Sequence, residues 1–184
     1  MKYLSKGKRG RIYLSGKYAI KKADPKRIKN EVSWLKILND CRIGPKLVNY
    51  NKNYFKYEFI KGTPIIEFIK NNNKIVIKKI LFDVLKQCRI MDGLNVNKKE
   101  MHNPVKHIII KKGKACMIDF ERCYSTSKPK NVTQFCQFIM SNKLKNLLIQ
   151  KEFKINRDKL LKSLVKYKHS QSEDNFKKIL KLIN

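Results

Sequence analysis

Apolar positions along the chain alternate with polar ones near the N-terminus and recur at helical spacing further on. The opening stretch "YLSKGKRGRIYLSGKYAIKKADP" holds short alternating runs parted by glycine-containing breaks, which predicts three strands within the first 22 residues. Ser15-Gly16, between "RIYL" and "KYAIKK", has the form of a two-residue hairpin turn. Asp24-Pro25 then supplies an N-cap and a first-turn proline for a helix running to about Asn39. On one face of that helix fall Ile28, Glu31, Leu35 and Leu38, so a carboxylate sits in an apolar stripe. "GPKLVNYNKNYFKYEFIKGTPI" alternates aromatic with polar residues in two further strands, and Gly62-Thr63-Pro64 breaks the pattern.

From Asn73 to Asp92 the period changes: Ile77, Ile80, Leu81, Val84, Cys88 and Met91 share a helix face, and Gly93 stops the run as a C-cap would. "KHIIIKKGKACMIDFER" is a pair of apolar strands around a Lys-Gly turn, followed by Asp119, Phe120 and Glu121. "PKNVTQFCQFIMSNKLKNLLIQ" is helical, with Asn131 or Thr133 as cap. Two basic amphipathic helices follow, "INRDKLLKSLVKY" and "SQSEDNFKKILKLI", the second with Ser170 and Glu173 at capping-box spacing. The fold class this pattern predicts is α+β: an antiparallel sheet with one helix over about 1–62, a helical half over about 63–140, and a basic helical extension over 141–184.

Length and composition agree with that picture and add a partner class. The 184 residues suffice for one domain with a real core, or for two small lobes sharing a cleft. Lysine and arginine number 44 against 14 acidic residues, a net charge of +30, which points to polyanions such as RNA, DNA or acidic proteins. An Ile- and Lys-rich chain is also what the composition habits of a thermophile produce. Five cysteines, an odd count without C-x-x-C spacing, suggest neither a disulfide framework nor a zinc site. No apolar run nears the roughly 18 residues of a membrane span, and "MKYLSKGKRG" lacks the apolar block of a secretory signal, so a cytoplasmic location without membrane contact is expected.

Several residues carry candidate chemistry. Gly7-Lys8-Arg9-Gly10, between two strands, brings backbone N–H groups within reach of phosphates, although a plain turn has the same sequence. Lys21 ends the third strand. Glu31, on a buried stripe, calls for a cation, and Lys21 on an adjacent strand is available. Asp119 leaves a strand apolar enough to be buried, where a carboxylate is placed to hold Mg²⁺ against nucleotide phosphates. His107, across the same hairpin, is positioned to face it.

The order of these parts resembles the protein kinase fold in its minimal two-lobed form. Over residues 3 to 140 the chain looks most like the small atypical kinases of archaea. These include the RIO-type proteins, the kinase subunit of the tRNA-modifying KEOPS assembly, and short predicted Ser/Thr kinases that share "P-x-K-H-I-I-I" followed by "I-D-F-E". The resemblance implies that Gly7 and Gly10 belong to a phosphate loop, Lys21 pairs with phosphate, Glu31 is its helix partner and Asp119 binds metal. It implies a hinge for adenine in "EFIKG", with Glu58 and Ile60 there and Tyr57 and Phe59 beside the pocket. Counting back from Asp119 puts His107 where kinases carry a metal-binding Asn, with Lys106 next to it. The only carboxylate in the preceding loop is Glu100, which takes the place of the catalytic base if the loop is two residues longer; His102 fits the exact spacing instead. Asp-Phe-Gly has become Asp119-Phe120-Glu121, which suggests a fixed rather than a switching segment.

By this resemblance the chain is a Ser/Thr protein kinase that uses ATP with Mg²⁺ or Mn²⁺ on a protein substrate, with ATP hydrolysis in an RNA-associated assembly as a close relative. A pseudokinase acting as a basic RNA- or ribonucleoprotein-binding module is the reading from another class, and a small-molecule phosphotransferase is a third.

Overall fold

A computed structural model describes residues 2–7 and 10–184. Three strands, β1 (Lys2–Gly7), β2 (Gly10–Ser15) and β3 (Tyr18–Ala23), form consecutive antiparallel hairpins, as the alternation predicts. The turn between β2 and β3 lies one residue later than expected. Ser15 pairs with Tyr18, so Gly16-Lys17 make the turn, with Gly16 at φ +59°. After α1 (Pro25–Asp40), strands β4 (Leu47–Tyr50) and β5 (Tyr54–Glu58) complete a five-stranded sheet in the order β1-β2-β3-β5-β4. The Asp24 side chain accepts from Lys26 N at 2.9 Å, and α1 buries Ile28, Glu31, Val32, Leu35 and Leu38.

Thr63–Pro64 do not simply break the pattern; they form a short strand, β6, which pairs with Ile110 and Ile109. Helix α2 (Ile65–Lys70) follows, too short for its period to show in sequence. Helix α3 (Lys74–Gly93) is capped by Asn73, whose side chain accepts from Val76 N at 3.1 Å. Gly93 is the last helical residue rather than a left-handed cap: Leu94 closes the helix and Asn95, at φ +56°, turns the chain. Then come β7 (Val96–Lys98), a 3-10 turn (Lys99–His102), the hairpin β8 (Ile108–Lys111) and β9 (Lys114–Met117), and β10 (Cys123–Ser125), which pairs with β7. Lys112 and Gly113 both take positive φ in the β8–β9 turn.

The stretch expected as one helix after Pro129 is two, α4 (Asn131–Ile139) and α5 (Asn142–Gln150), parted at Ser141, whose backbone is extended. Neither Asn131 nor Thr133 caps α4. Lys130 holds the cap position, while Asn131 turns its side chain inward and Thr133 donates back to Lys130 O. Helices α6 (Arg157–His169) and α7 (Glu173–Leu182) finish the chain. The expected Ser170–Glu173 box does not form, because Ser170 ends α6 and Ser172 caps α7 by accepting from Asn175 N.

The apolar cluster runs without interruption from Ile28 in α1 to Ile183 beyond α7. At its centre Asp92 accepts four hydrogen bonds: from Asn131 N (2.9 Å), Asn131 Nδ2 (2.8 Å), Val132 N (3.3 Å) and Tyr167 Oη (3.0 Å). Asn131 in turn accepts from Lys98 N at 2.8 Å and donates to Val96 O at 2.6 Å. One buried carboxylate thereby joins α3, α4 and α6 to the strand that leads into the 3-10 turn. The five cysteines are free thiols. Among the described residues no helix is long and apolar enough to cross a membrane.

Candidate active site

The two-residue period of β3 sends Ala19 and Lys21 inward and Lys22 outward. Lys21 is only 8% exposed, and its ammonium meets three carboxylates: Glu31 Oε2 at 2.7 Å, Asp119 Oδ1 at 3.1 Å and Glu121 Oε2 at 3.2 Å. Burial pulls the Lys21 pKa down, but Glu31, Asp119 and Glu121 outweigh it and hold the ammonium above the ordinary lysine range. Burial also pushes the Glu31 carboxyl up, against the pull of Lys21. For Asp119 the balance tips the other way: burial raises it, and Lys21 with Lys98 brings it below the usual carboxylate value.

Asp119 leaves β9 through Ile118 and takes φ +63°, a left-handed conformation that aspartate tolerates better than branched residues. The segment after it is fastened to α1. Phe120 N donates to Glu31 Oε1 at 3.1 Å, and Asn30 Nδ2 donates to Glu121 O at 2.7 Å. The Phe120 ring is fully buried against Gly44, where an added Cβ would lie 2.8 Å from its edge. Glu121 joins the Lys21 cluster, so the segment is held at both side chain and backbone.

The residue that sequence reasoning missed is Lys98. It has no exposed surface, its Nζ lies 3.3 Å from Glu100 Oε2 and donates to the backbone carbonyl of Asp119, and it sits 4.9 Å from the centre of the Phe120 ring. Arg122 Nη1 approaches the other oxygen of Glu100 at 3.4 Å. Glu100 is thus fixed in place and tied through Lys98 to Asp119. His102 is exposed and turned back on its own turn, with Nδ1 3.0 Å from Lys99 O.

A cleft of about 460 Å³ lies between the sheet and the β8–β9 hairpin, lined by Lys21, Glu31, Asp119, His107, Lys106, Tyr57, Phe59 and Ile60 among others. Lys106 reaches it as an exposed side chain. Glu58 points elsewhere, pairing with Lys111 Nζ at 2.5 Å, although its backbone N–H is held by Lys46 O at 2.9 Å. Gly7 and Gly10 face each other at the tip of the β1–β2 hairpin, where an added Cβ on Gly10 would lie 2.7 Å from Lys22 O; Lys8 and Arg9 between them lie outside the described residues.

The residues around Asp119 fit a divalent cation. His107 Nδ1 is buried without a hydrogen-bond partner and stands 3.8 Å from Asp119 Oδ2. Burial and then Lys98 lower the His107 pKa, which favours the neutral ring that ligates metal. Glu31, Asp119 and Glu121 bring carboxylate oxygens within 4.8 Å of one another, but Lys21 Nζ bonds all three, so the fit rests on Asp119 Oδ2 and His107 Nδ1. Oxygen donors suit Mg²⁺, and the imidazole adds affinity for Mn²⁺.

No family model and no curated protein matches the sequence. Solved structures do. An aminoglycoside phosphotransferase solved with ADP bound aligns at a TM-score of 0.55 and 11% identity over 99% of this chain and 92% of that one. The kinase of Cydia pomonella granulovirus aligns at a TM-score of 0.56 and 16% identity over 70% of this chain and 55% of its own. The fold is protein-kinase-like. Within a kinase-like fold Lys21, Glu31 and Asp119 meet at the cleft between the sheet and the helical half, and Glu100 stands on the turn beside it.

Proposed function

We propose that the protein binds ATP with Mg²⁺ or Mn²⁺ in this cleft and transfers the γ-phosphoryl group to a serine or threonine hydroxyl of a protein substrate. The observation that carries the reading is the meeting of Lys21, Glu31 and Asp119 from three separate parts of the chain at one partly open cleft. In this reading adenine lies between the sheet and Ile60, with Tyr57 and Phe59 at its side. Lys21, oriented by Glu31, gives up its contact with Glu121 to phosphate oxygens. Asp119, with His107 beside it, would hold the metal, which supplies charge neutralisation on the phosphates. Gly7 and Gly10 cover the phosphates from the hairpin tip. Glu100 accepts the proton of the acceptor hydroxyl as its oxygen bonds to the γ-phosphorus and the bond to the leaving ADP oxygen breaks. Lys106, exposed at the cleft, meets the transferred phosphoryl group.

Glu100 is favoured over His102 because its carboxylate is fixed by Lys98 and Arg122, whereas His102 is folded onto Lys99 O. The same two cations favour a second reading, a pseudokinase, since a base must be released from them to work. Glu100→Gln separates the two. It should lower γ-phosphoryl transfer by about 10²-fold or more while ATP affinity stays nearly intact. Equal loss in His102→Ala alone would move the base to His102, and nucleotide binding without any turnover by the wild-type protein would favour the pseudokinase.

A further inference from the structure

Beyond the turn that carries Glu100 lies a second cleft, of about 730 Å³. One wall is the segment from Tyr124 to Lys130, which runs from β10 to the start of α4; the other is the end of α6, with Lys168, His169 and Gln171. Lys128, Lys130 and Lys168 line it, and no carboxylate does so among the described residues. In a chain of net charge +30, lysines alone select nothing. What sets this cleft apart is its polar, concave and braced construction. Two other clefts away from the active site are floored by apolar side chains, Leu148 and Phe153 in one and Ile28 and Val32 in the other; the latter also carries Lys26, Lys29, Lys36, Lys52 and Tyr50, but there Lys36 Nζ donates to Tyr50 Oη at 2.5 Å and lies 4.3 Å from the centre of its ring, so the ring is already taken.

Its walls are fixed by hydrogen bonds that do not use the lysine side chains. Gln171 Nε2 donates to Pro129 O at 3.0 Å, joining the walls, and Arg89 Nη2 donates to Gln171 O at 2.5 Å. Lys130 N donates to Asn97 Oδ1 at 2.7 Å, and Thr126 N to Asn95 O at 2.9 Å, which ties the first wall to β7. On that wall Tyr124, 47% exposed, stands opposite Asn97 in the β7–β10 ladder. Lys168 and His169 complement the carbonyl end of α6, but that role does not account for Lys128, Lys130 and Tyr124 across from them.

We propose that this cleft binds single-stranded nucleic acid, with backbone phosphates on Lys128, Lys130 and Lys168 and a base stacked on Tyr124. Cations that track a backbone beside an exposed aromatic ring are what an unpaired strand requires. An acidic peptide satisfies the lysines but not the ring, and a duplex keeps its bases stacked within itself. Arg122, two residues before Tyr124, contacts Glu100 at 3.4 Å, which sets the start of this wall next to the turn that carries Glu100. The inference does not rest on phosphoryl transfer.

Anisotropy of a short labelled single-stranded oligonucleotide, as RNA and as DNA, tests it across a range of salt and without ATP. Removing Lys128, Lys130 and Lys168 together by alanine should lower the slope of log affinity against log salt by about 2, at about 0.7 per phosphate contact. The triple variant at Lys177, Lys178 and Lys181, exposed on α7, removes the same charge and should leave the slope unchanged. Tyr124→Ala should weaken binding roughly tenfold at constant slope. Because the titration is run without ATP, its result stands apart from the fate of the ATP site. Equal slope losses in the two triple variants, tighter binding of a duplex or of polyglutamate than of the single strand, or no binding at all would each overturn the proposal.

Discussion

A lysine with no exposed surface requires compensation, since an unpaired ammonium costs several kcal/mol to bury. Lys98 finds it in the Glu100 carboxylate, the Asp119 carbonyl and the face of Phe120. It therefore acts as a positioning residue that sets the distance between the candidate base and the candidate metal ligand. Lys98→Met keeps the volume but leaves the Glu100 carboxylate to Arg122 alone and the Asp119 carbonyl without its donor, so it should lower the unfolding free energy by about 1–3 kcal/mol. Phosphoryl transfer should fall by at least about tenfold, more than ATP affinity does, because the bond that holds Glu100 in register with Asp119 is lost. A variant with unaltered turnover would reduce Lys98 to packing. At this scale Lys21, Glu31, Asp119 and His107 were legible because each stands at a marked place in a pattern: the end of an alternating strand, an apolar helix stripe, the exit of a hairpin, the strand opposite. Lys98 was not, because in "NVNKK" nothing local distinguishes it from Lys99. The burial is decided by pairing with β10 and by the Asn131 bond to Lys98 N.

Among the elements, the segment 119–121 and helix α1 behave as one piece, with bonds from Phe120 N to Glu31, from Asn30 to Glu121 O, and from Lys21 to all three carboxylates. The absent glycine suggested a fixed segment, and the contacts give the physical means. The strands, α1, α3 and the β8–β9 hairpin were readable from period and capping. Helix α2 was too short to show a period, and β6 exists only because β8 supplies its partner. The Asn131 cap assignment failed for a related reason, because its side chain is claimed by Asp92 and Val96, whereas Ser170 failed because it is the C-cap of α6. Asp92 is the strongest such claim. Asp92→Ala would strip the partners from Asn131 N, Asn131 Nδ2, Val132 N and Tyr167 Oη inside the core. It should cost about 3 kcal/mol or more of unfolding free energy, read from denaturant melts. Tyr167→Phe removes one of the four bonds and should cost about 1 kcal/mol. A loss for Asp92→Ala no larger than that would show that the network is not cooperative.

Across the whole molecule, the basic helices after residue 140 read as a lysine-studded extension, yet Leu160, Tyr167, Phe176 and Ile179 lie in the same apolar cluster as α1 and α3. Their charge was plain in the sequence. Their place in the core was not, because the contacts span Asp92 to Tyr167 and Arg89 to Gln171. The two halves meet at the cleft, and there Lys21 and Asp119 act differently in the proposed function. Lys21 contacts phosphate directly, and Asp119 acts through the metal. Calorimetric titration of ATP into the wild type, Lys21→Ala and Asp119→Ala, each with Mg²⁺ and with EDTA, separates these roles. The wild type should bind more tightly with Mg²⁺, Lys21→Ala should be weaker under both conditions, and Asp119→Ala should differ from the wild type only when metal is present. No ATP binding by the wild type, or equal metal-free losses in both variants, would contradict the proposed function.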